Sequence, residues 1–260
     1  MIKNSRYNYI CGKAAKRIFA AFLVLLLVTG CGLTDGRGRS SGKRDETATD
    51  SHVDFEKLKK ENEDIFAWLY VPDTAIDCPV VQNADGDDSF YLTHNEYGET
   101  DPKGAVYIEA ANMRNMCDFN EVLHVPSASE DPRFQDLSKF LDRSFFDDHE
   151  YIYVYTEGNA LIYYIFAAYV REDERLISQY DFSYAQGCQD FLDEIFLPRT
   201  MNRNIRDEWA GELAPENFLI TLTTQNADDP GLQTVVIGCL VGDVRGEIDR
   251  YVDYSDPDGV

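Results

Sequence analysis

The sequence predicts a mixed, largely antiparallel β-barrel with a few interposed helices. Short apolar runs recur along the chain and are separated by stretches rich in turn residues, such as NADGDD and ETDPKG. Two longer runs, 151–156 and 160–171, are joined by Glu157-Gly158-Asn159 and predict a hairpin. Two more, LITLTTQN and LQTVVIGCLVG, follow late in the chain and are joined through an acidic turn. The sequence shows no internal repeat and no nucleotide-binding glycine loop.

The folded part is expected to open with an amphipathic helix over 54–65, where apolar residues recur at helical spacing. Short strands are predicted next over 67–71, 76–82, 105–108 and 121–125. A second helix is marked by Phe134, Leu137, Phe140 and Leu141, and Asp131-Pro132 suits its first turn. The spacing of Phe191, Leu192, Ile195 and Phe196 predicts a third helix between residues 184 and 196.

Residues 1–30 have the pattern of a secretory signal peptide rather than of a folded segment. A basic stretch without acids precedes an apolar run of about eleven residues, IFAAFLVLLLV, which is too short for a membrane-spanning helix. The following Val28-Thr29-Gly30-Cys31 resembles the lipobox of bacterial lipoproteins. We therefore expect Cys31 to carry a lipid that anchors the chain to the outer face of the cytoplasmic membrane. The alternative is an ordinary signal peptide, or an uncleaved anchor, with an incidental cysteine.

Composition separates the rest of the chain into three parts and excludes one class of partner. Residues 31–53 are rich in Gly, Ser and charge and predict a flexible tether, 54–246 form one domain, and 247–260 form an acidic tail. The formal charge of −23 in 260 residues disfavours binding to nucleic acid. The cysteines of the domain are Cys78, Cys117, Cys188 and Cys239, and they show neither a CxxC pair nor Cys/His metal spacing. No zinc site or cofactor is predicted, and disulfides and buried thiols both stay open.

Several segments, in order, are similar to the class B sortase family. NEDIFAWLYVPDTAIDCPVVQ at 62–82 resembles the opening of its domain, FYL at 90–92 follows, and GAVYI at 104–108 is similar to its Gly-x-Ile-Phe strand. FQDLSKFLDRSFF at 134–146 resembles a helix of the family, and LITLTTQ and TVVIG complete the pattern. The resemblance covers about 54–245. It implies a closed β-barrel of about eight strands with an N-terminal helix and interposed helices, as in enzymes that join a cleaved sorting signal to the cell wall.

The resemblance also implies a Cys, a His and an Arg at the active site. The thiolate attacks the scissile carbonyl, the imidazole protonates the leaving amine, and the guanidinium stabilises the oxyanion or positions the substrate. The matching positions of this chain hold Gln225, Pro126 and Gln233. Glutamine and proline have no group that can attack, or that can exchange a proton near neutral pH. Because such groups act as a unit, we expect no intact catalytic set.

A displaced catalytic set is the alternative. His124 precedes the missing histidine by two residues, so a strand would turn both side chains to one side. Cys239, and less so Cys117, are candidate thiols, whereas Thr223, Thr224 and Ser127 are hydroxyls without a recognisable base. His94 and His149 are expected to be structural, and the acidic turn 226–231 is expected to be solvated.

These observations predict an inactive sortase-like lipoprotein of the cell envelope with an accessory or scaffold role. Its retained groove, with Thr223, Thr224, Gln225 and Gln233, is expected to bind a sorting-signal-like peptide or an envelope protein. The alternative function is a cysteine transpeptidase or hydrolase that uses a displaced residue set.

Overall fold

A computed structural model describes residues 53–126, 132–197, 203–226 and 228–245. The predicted signal peptide, Cys31, most of the tether and the C-terminal tail lie outside these ranges. Within them, no helix has both the length and the apolar character that crossing a membrane requires. The same ranges contain no cluster of three or more His, Cys, Asp or Glu side chains placed to hold a metal ion.

Within the described ranges, nine strands form one sheet. They are β1 (Ile65–Tyr70), β2 (Asp77–Val81), β3 (Val106–Ile108), β4 (Asn120–His124), β5 (Tyr151–Thr156), β6 (Asn159–Glu172), β7 (Arg203–Ile205), β8 (Leu219–Gln225) and β9 (Leu232–Asp243). The α-helices of these ranges are α1 (Phe55–Glu61), α2 (Arg143–Asp148), α3 (Leu176–Gln179) and α4 (Ala185–Phe196). Short 3-10 helices cover Phe90–Leu92, Pro132–Leu141 and Asp207–Trp209.

The sheet closes on itself into a barrel. The strand order is β5-β1-β2-β3-β4-β8-β9-β6, and the additional pairing of β6 with β5 completes a ring of eight strands. β6 has 14 residues, so beyond the stretch that pairs with β5 it can also pair with β7. The pairs β2–β3 and β4–β8 are parallel, and the other pairs are antiparallel. This confirms the predicted closed, mixed barrel of about eight strands.

The two faces of the long strand β6 pack into separate cores. Leu161, Tyr163 and Ile165 point into the barrel interior, where Val154, Leu222 and other apolar side chains surround them. The alternating residues of β6 pack instead against the buried face of α4, whose members are Cys188, Phe191, Leu192 and Ile195. Both faces of β6 are therefore apolar, which explains its nearly continuous apolar sequence.

The first helix is shorter than the sequence predicts. It ends at Glu61, and Asn62 turns out of it into an extended conformation. The Asn62 side chain donates to the Tyr91 hydroxyl and to the Glu96 carbonyl, and it accepts the Asp64 amide. Ile65 and Phe66, which the helical period included, belong instead to β1. The helix therefore ends before Asn62, where tertiary hydrogen bonds replace the helical pattern that the apolar spacing predicts.

Other boundaries also differ from the prediction. The predicted second helix is a 3-10 helix up to Leu141, and α2 starts anew where the Asp142 carboxylate accepts the amides of Ser144 and Phe145. The sequence did not predict β7, α3 and the 3-10 helix Asp207–Trp209. Each has only three or four residues, too few to show a period.

Candidate functional site

A groove of about 490 Å³ opens at one rim of the barrel, where β4 and β8 end and β9 begins. One wall comes from the ends of these strands and holds His124, Val125, Pro126, Thr223, Thr224, Gln225 and Gln233. A second wall comes from β3, the residue after it and the segments before it, with Tyr91, Leu92, Ala105, Tyr107 and Glu109 among its residues. The segment after β6, at 173–175, forms the third side.

Strand register brings the sequence-predicted site residues together. His124 lies beside Thr223 in the parallel pair β4–β8, and Gln225 lies opposite Gln233 in the antiparallel pair β8–β9. Beyond β4, the Val125 amide donates to the Thr223 carbonyl at 2.7 Å. The Thr224 hydroxyl donates to the Pro126 carbonyl at 3.0 Å. Pro126 therefore meets Gln225 and Gln233, which lie in a distant part of the chain, at one rim.

Gln233 is buried, and both ends of its amide are used within the protein. Its carbonyl oxygen accepts the hydroxyl proton of Thr223. Its Nε2 donates to the carbonyls of Glu172 and Glu174 at 3.1 and 2.8 Å. With a relative exposure of 5%, this side chain is a fixed part of the wall.

Gln225 is exposed at the mouth of the groove. Its Nε2 donates to the Asp173 carboxylate at 2.9 Å and to the Pro230 carbonyl at 3.2 Å. The two glutamines thus bond to the same short segment after β6. That segment is also held by the amide of Asp173, which donates to the Gly231 carbonyl at 2.9 Å.

A buried carboxylate lies in the groove and contacts two basic side chains. Glu109 follows β3, and its side chain is only 5% exposed. The Arg175 guanidinium binds it through two hydrogen bonds, Nε to Oε1 at 3.0 Å and Nη2 to Oε2 at 2.7 Å. Nη2 also reaches Asp88 Oδ2 at 2.7 Å. His124 Nε2 lies 2.9 Å from Glu109 Oε1, outside hydrogen-bond geometry, and its ring stacks on Tyr107.

These contacts set the charge of the groove. Burial alone raises the pKa of Glu109, but His124 and Arg175 outweigh it and bring that pKa to about 2, so the carboxylate is ionised near neutral pH. Hydrogen bonds to Glu109 raise the pKa of Arg175 above its ordinary value, so it stays cationic. Burial raises the pKa of Tyr107, and the charge of Glu109 raises it further, so this phenol keeps its proton. Near neutral pH the groove therefore holds an ionised Glu109 that pairs with the cation of Arg175.

Cys239 lies away from the groove. It is buried in the core beneath α4 and pairs with Leu219, whereas His124 is in register with Thr223, four residues further along β8. Four residues of a strand span about 13 Å. Cys78, Cys117, Cys188 and Cys239 carry thiols rather than disulfides. No cysteine is among the described residues that line the groove, and the undescribed internal segments SASED, PRTMN and Ala227 contain none either.

The remaining candidates have local structural contacts. His94 stacks on Phe90 and contacts its carbonyl, and His149 stacks on Phe145 and lies 3.3 Å from an Asp73 carboxylate oxygen. In the acidic turn, Asn226 accepts the amides of Asp228 and Asp229, a local turn arrangement. Ser127 lies outside the described residues.

The sequence did not predict the ion cluster of the groove, which Asp88, Glu109 and Arg175 form. A partial signal existed, because Glu109 directly follows the apolar run 105–108. Its partners could not be found from the sequence, since Arg175 is 66 residues from Glu109 and 87 from Asp88. The described residues of the groove therefore offer hydrogen-bonding groups and one buried ion cluster, with an imidazole beside a carboxylate, and none of them carries a thiol.

The chain is similar to sortase B from two bacteria. It is 27% identical over 170 residues to that of Listeria monocytogenes, over 64% of this chain and 65% of that protein. It is 26% identical over 151 residues to that of Staphylococcus aureus, over 58% of this chain and 61% of that protein. Each match thus spans less than two thirds of the relative. No family model matches the chain.

Solved structures of class B sortases share the fold. A mutant form of Clostridium perfringens sortase B superposes with a TM-score of 0.63 at 28% identity, over 72% of this chain and 86% of that one. Staphylococcus aureus sortase B in a substrate complex superposes with a TM-score of 0.60 at 24% identity, over 72% and 83%. A Streptococcus pyogenes class B sortase involved in pilus biogenesis gives 0.61 at 23% identity, over 72% and 98%.

Proposed function

Because this chain belongs to the sortase family, we propose that it is a class B sortase-like protein of the bacterial cell envelope that binds peptides without transferring them. The observation that carries the proposal is the set of residues at one rim of the barrel. The resemblance of their segments assigns Pro126, Gln225 and Gln233 to the positions of the family's histidine, cysteine and arginine, and all three line one groove. The groove is retained, whereas the groups that would react in it are not.

The location of the thiols supports an inactive protein over a displaced catalytic set. His124 is in the groove beside Glu109, which would suit a base. A cysteine nucleophile must lie within hydrogen-bond reach of that imidazole, and Cys239 is in a separate core about 13 Å further along the strands. The Thr223 and Thr224 hydroxyls donate to Gln233 and Pro126, not to an imidazole.

The rim suits an extended peptide. Gln225 is exposed at the end of β8, and three separate parts of the chain line the groove beside it. A peptide backbone has one donor and one acceptor in each residue, so such side chains can bind it without regard to catalysis. The bound peptide or envelope protein would then be held near the membrane by a lipid on Cys31, in an accessory or scaffold role.

Calorimetric titration of the full-length protein with sorting-signal peptides tests the groove. We expect measurable binding, weakened about threefold to tenfold by Gln225→Ala, because one exposed hydrogen-bonding group is lost. Gln189→Ala on the exposed face of α4 is the matched control and should bind as the unchanged protein does. If no such peptide binds, peptide recognition by the groove is wrong, and an inert spacer role remains.

Lipid anchoring through Cys31 can be tested separately from peptide binding. In cells, Cys31→Ser should release the protein from the membrane fraction and abolish labelling by a fatty acid, whereas Cys78→Ser should change neither. Retention of the label after Cys31→Ser would contradict lipidation at this residue.

A further inference from the structure

The Arg175 side chain lies in the groove, and its guanidinium binds two carboxylates of the groove. It binds both oxygens of Glu109 and one oxygen of Asp88 at 2.7 to 3.0 Å. The two ends of this contact differ strongly in exposure: the Arg175 side chain is 59% exposed, whereas the Glu109 side chain is 5% exposed. The carboxylate is therefore built into the wall, and the guanidinium reaches it from the solvent side.

Glu109 requires a cation whether or not Arg175 provides it. A buried carboxylate that loses its partner retains its desolvation cost, and the cost of leaving one unpaired is large. Arg175 precedes the four-residue helix α3, and within the described part of the chain its charged group hydrogen-bonds to Glu109 and Asp88. Rotation of this one side chain would open the carboxylate to the groove without unfolding a strand.

The charges around the groove define which ligand could replace it. Its acidic residues are Asp88, Glu109, Asp173 and Glu174, and its basic residues are Lys103, His124 and Arg175. Without Arg175, four carboxylates would face one lysine and one imidazole. An acidic or apolar ligand group would leave Glu109 with His124 alone, outside hydrogen-bond geometry, whereas a guanidinium or an ammonium would restore its hydrogen-bonded ion pair.

We propose that Glu109, assisted by Asp88, is a recognition site for a basic side chain of the peptide that occupies the groove. Arg175 occupies this site when no such side chain is bound. This inference rests on the proposed function, since it names the chemistry of the peptide that the groove binds. Arg175 competes with the ligand, so it lowers the affinity for every basic ligand by the same factor.

Chemical complementation tests the site without any peptide. N-ethylguanidinium is titrated into the full-length Arg175→Ala protein and followed by NMR, with N-ethylurea as a neutral analogue of the same shape. We expect the guanidinium to bind Arg175→Ala at least about tenfold more tightly than the unchanged protein, and N-ethylurea to show no such gain. The gain should vanish in Arg175→Ala/Glu109→Gln. Equal binding to these three proteins would overturn the proposal.

Two further variants guard against indirect effects. Arg143→Ala removes an arginine of matched exposure, 60%, that pairs with Asp147 outside the groove, and it should gain no affinity. Asp88 is partly exposed, so Asp88→Asn should fold even if Glu109→Gln does not. In the Arg175→Ala background, Asp88→Asn should reduce guanidinium binding about threefold. A gain in Arg143→Ala, or no effect of Asp88→Asn, would contradict the site.

Peptides that differ only by arginine or citrulline at one central position separate this inference from the proposed function. Preferential binding of the arginine peptide to Arg175→Ala supports both. Binding of both peptides with equal affinity would overturn the inference and leave the peptide groove intact. If neither peptide binds although the guanidinium does, both the proposal that the groove binds peptides and the assignment of a peptide side chain as the ligand of Glu109 are wrong.

Discussion

Gln225 and Gln233 lie directly opposite each other, as the last pair of the ladder between β8 and β9. They differ in environment, because Gln233 is buried with both ends of its amide bonded, and Gln225 is exposed at the mouth of the groove. Gln233 is therefore part of the wall, whereas Gln225 occupies a surface position.

This difference predicts unequal costs in stability for introducing, at these two positions, the residues that the resemblance implies. Gln233→Arg removes the carbonyl that accepts the Thr223 hydroxyl and brings a charge into a buried site. It should lower the free energy of unfolding by about 2 kcal/mol or more. Gln225→Cys should change it by no more than about 0.5 kcal/mol, because the residue is exposed. Urea unfolding of both variants checks this, and equal costs would contradict the buried role of Gln233.

Gly104 shapes the wall of the groove at Tyr91. Its φ is +73°, and an added Cβ would lie 2.5 Å from the Tyr91 carbonyl oxygen. Gly98 provides the control, because its φ is +79° and an added Cβ would meet nothing within 4 Å. Gly98→Ala should cost about 1 kcal/mol from backbone strain alone. Gly104→Ala should cost about 3 kcal/mol, because the backbone must also move. If thermal unfolding gives similar losses of stability for the two variants, the predicted clash between the added Cβ and the Tyr91 carbonyl is wrong.

Asn112 fixes the start of β4 below the groove. Its side chain donates to the Asn120 carbonyl at 3.0 Å and to Asp118 at 3.1 Å, and it accepts the Val122 amide at 3.0 Å. Asn112→Ala should lower the free energy of unfolding by about 2 to 3 kcal/mol, since a buried backbone amide loses its acceptor. Gln189→Ala, which removes only an exposed bond within α4, should change it by less than about 0.5 kcal/mol. Denaturant unfolding compares the two.

The Glu109 carboxylate should make the free energy of unfolding depend on pH in the acidic range. Its pKa is lowered from 4.5 to about 2 in the folded protein, so its ionised form stabilises the fold fully above pH 4.5. That contribution, of the order of 3 kcal/mol, is lost as the pH falls towards 2. In Glu109→Gln it is absent throughout. The difference in unfolding free energy between the two proteins should therefore shrink from pH 6 to pH 2.5, and a constant difference would contradict the lowered pKa.

The sequence carried enough information for the barrel, because alternating and continuous apolar runs follow directly from burial on one or both faces of a strand. It also identified the residues that meet at the rim, since His124, Pro126, Gln225 and Gln233 lie at strand ends or starts. It failed where one polar side chain ended a pattern, as Asn62 does for the first helix.

The ion cluster of the groove was beyond sequence reasoning for another reason. Asp88, Glu109 and Arg175 are ordinary charged residues in an acidic chain, and only the closure of the barrel brings them within hydrogen-bond distance. Neither the burial of Glu109 nor the exposure of Arg175 leaves a local signal. Such pairs have to be found in three dimensions.

Incubation of the full-length protein with a labelled sorting-signal peptide and a cell-wall amine tests the central claim, that the groove binds without reacting. Mass spectrometry would follow the intact protein, the peptide and any product joined to the amine. We predict an unchanged protein mass, an uncleaved peptide and no joined product under conditions where calorimetry detects binding. A covalent adduct or cleaved peptide that disappears in Cys239→Ala or His124→Ala would contradict the claim and show that a displaced catalytic set is active.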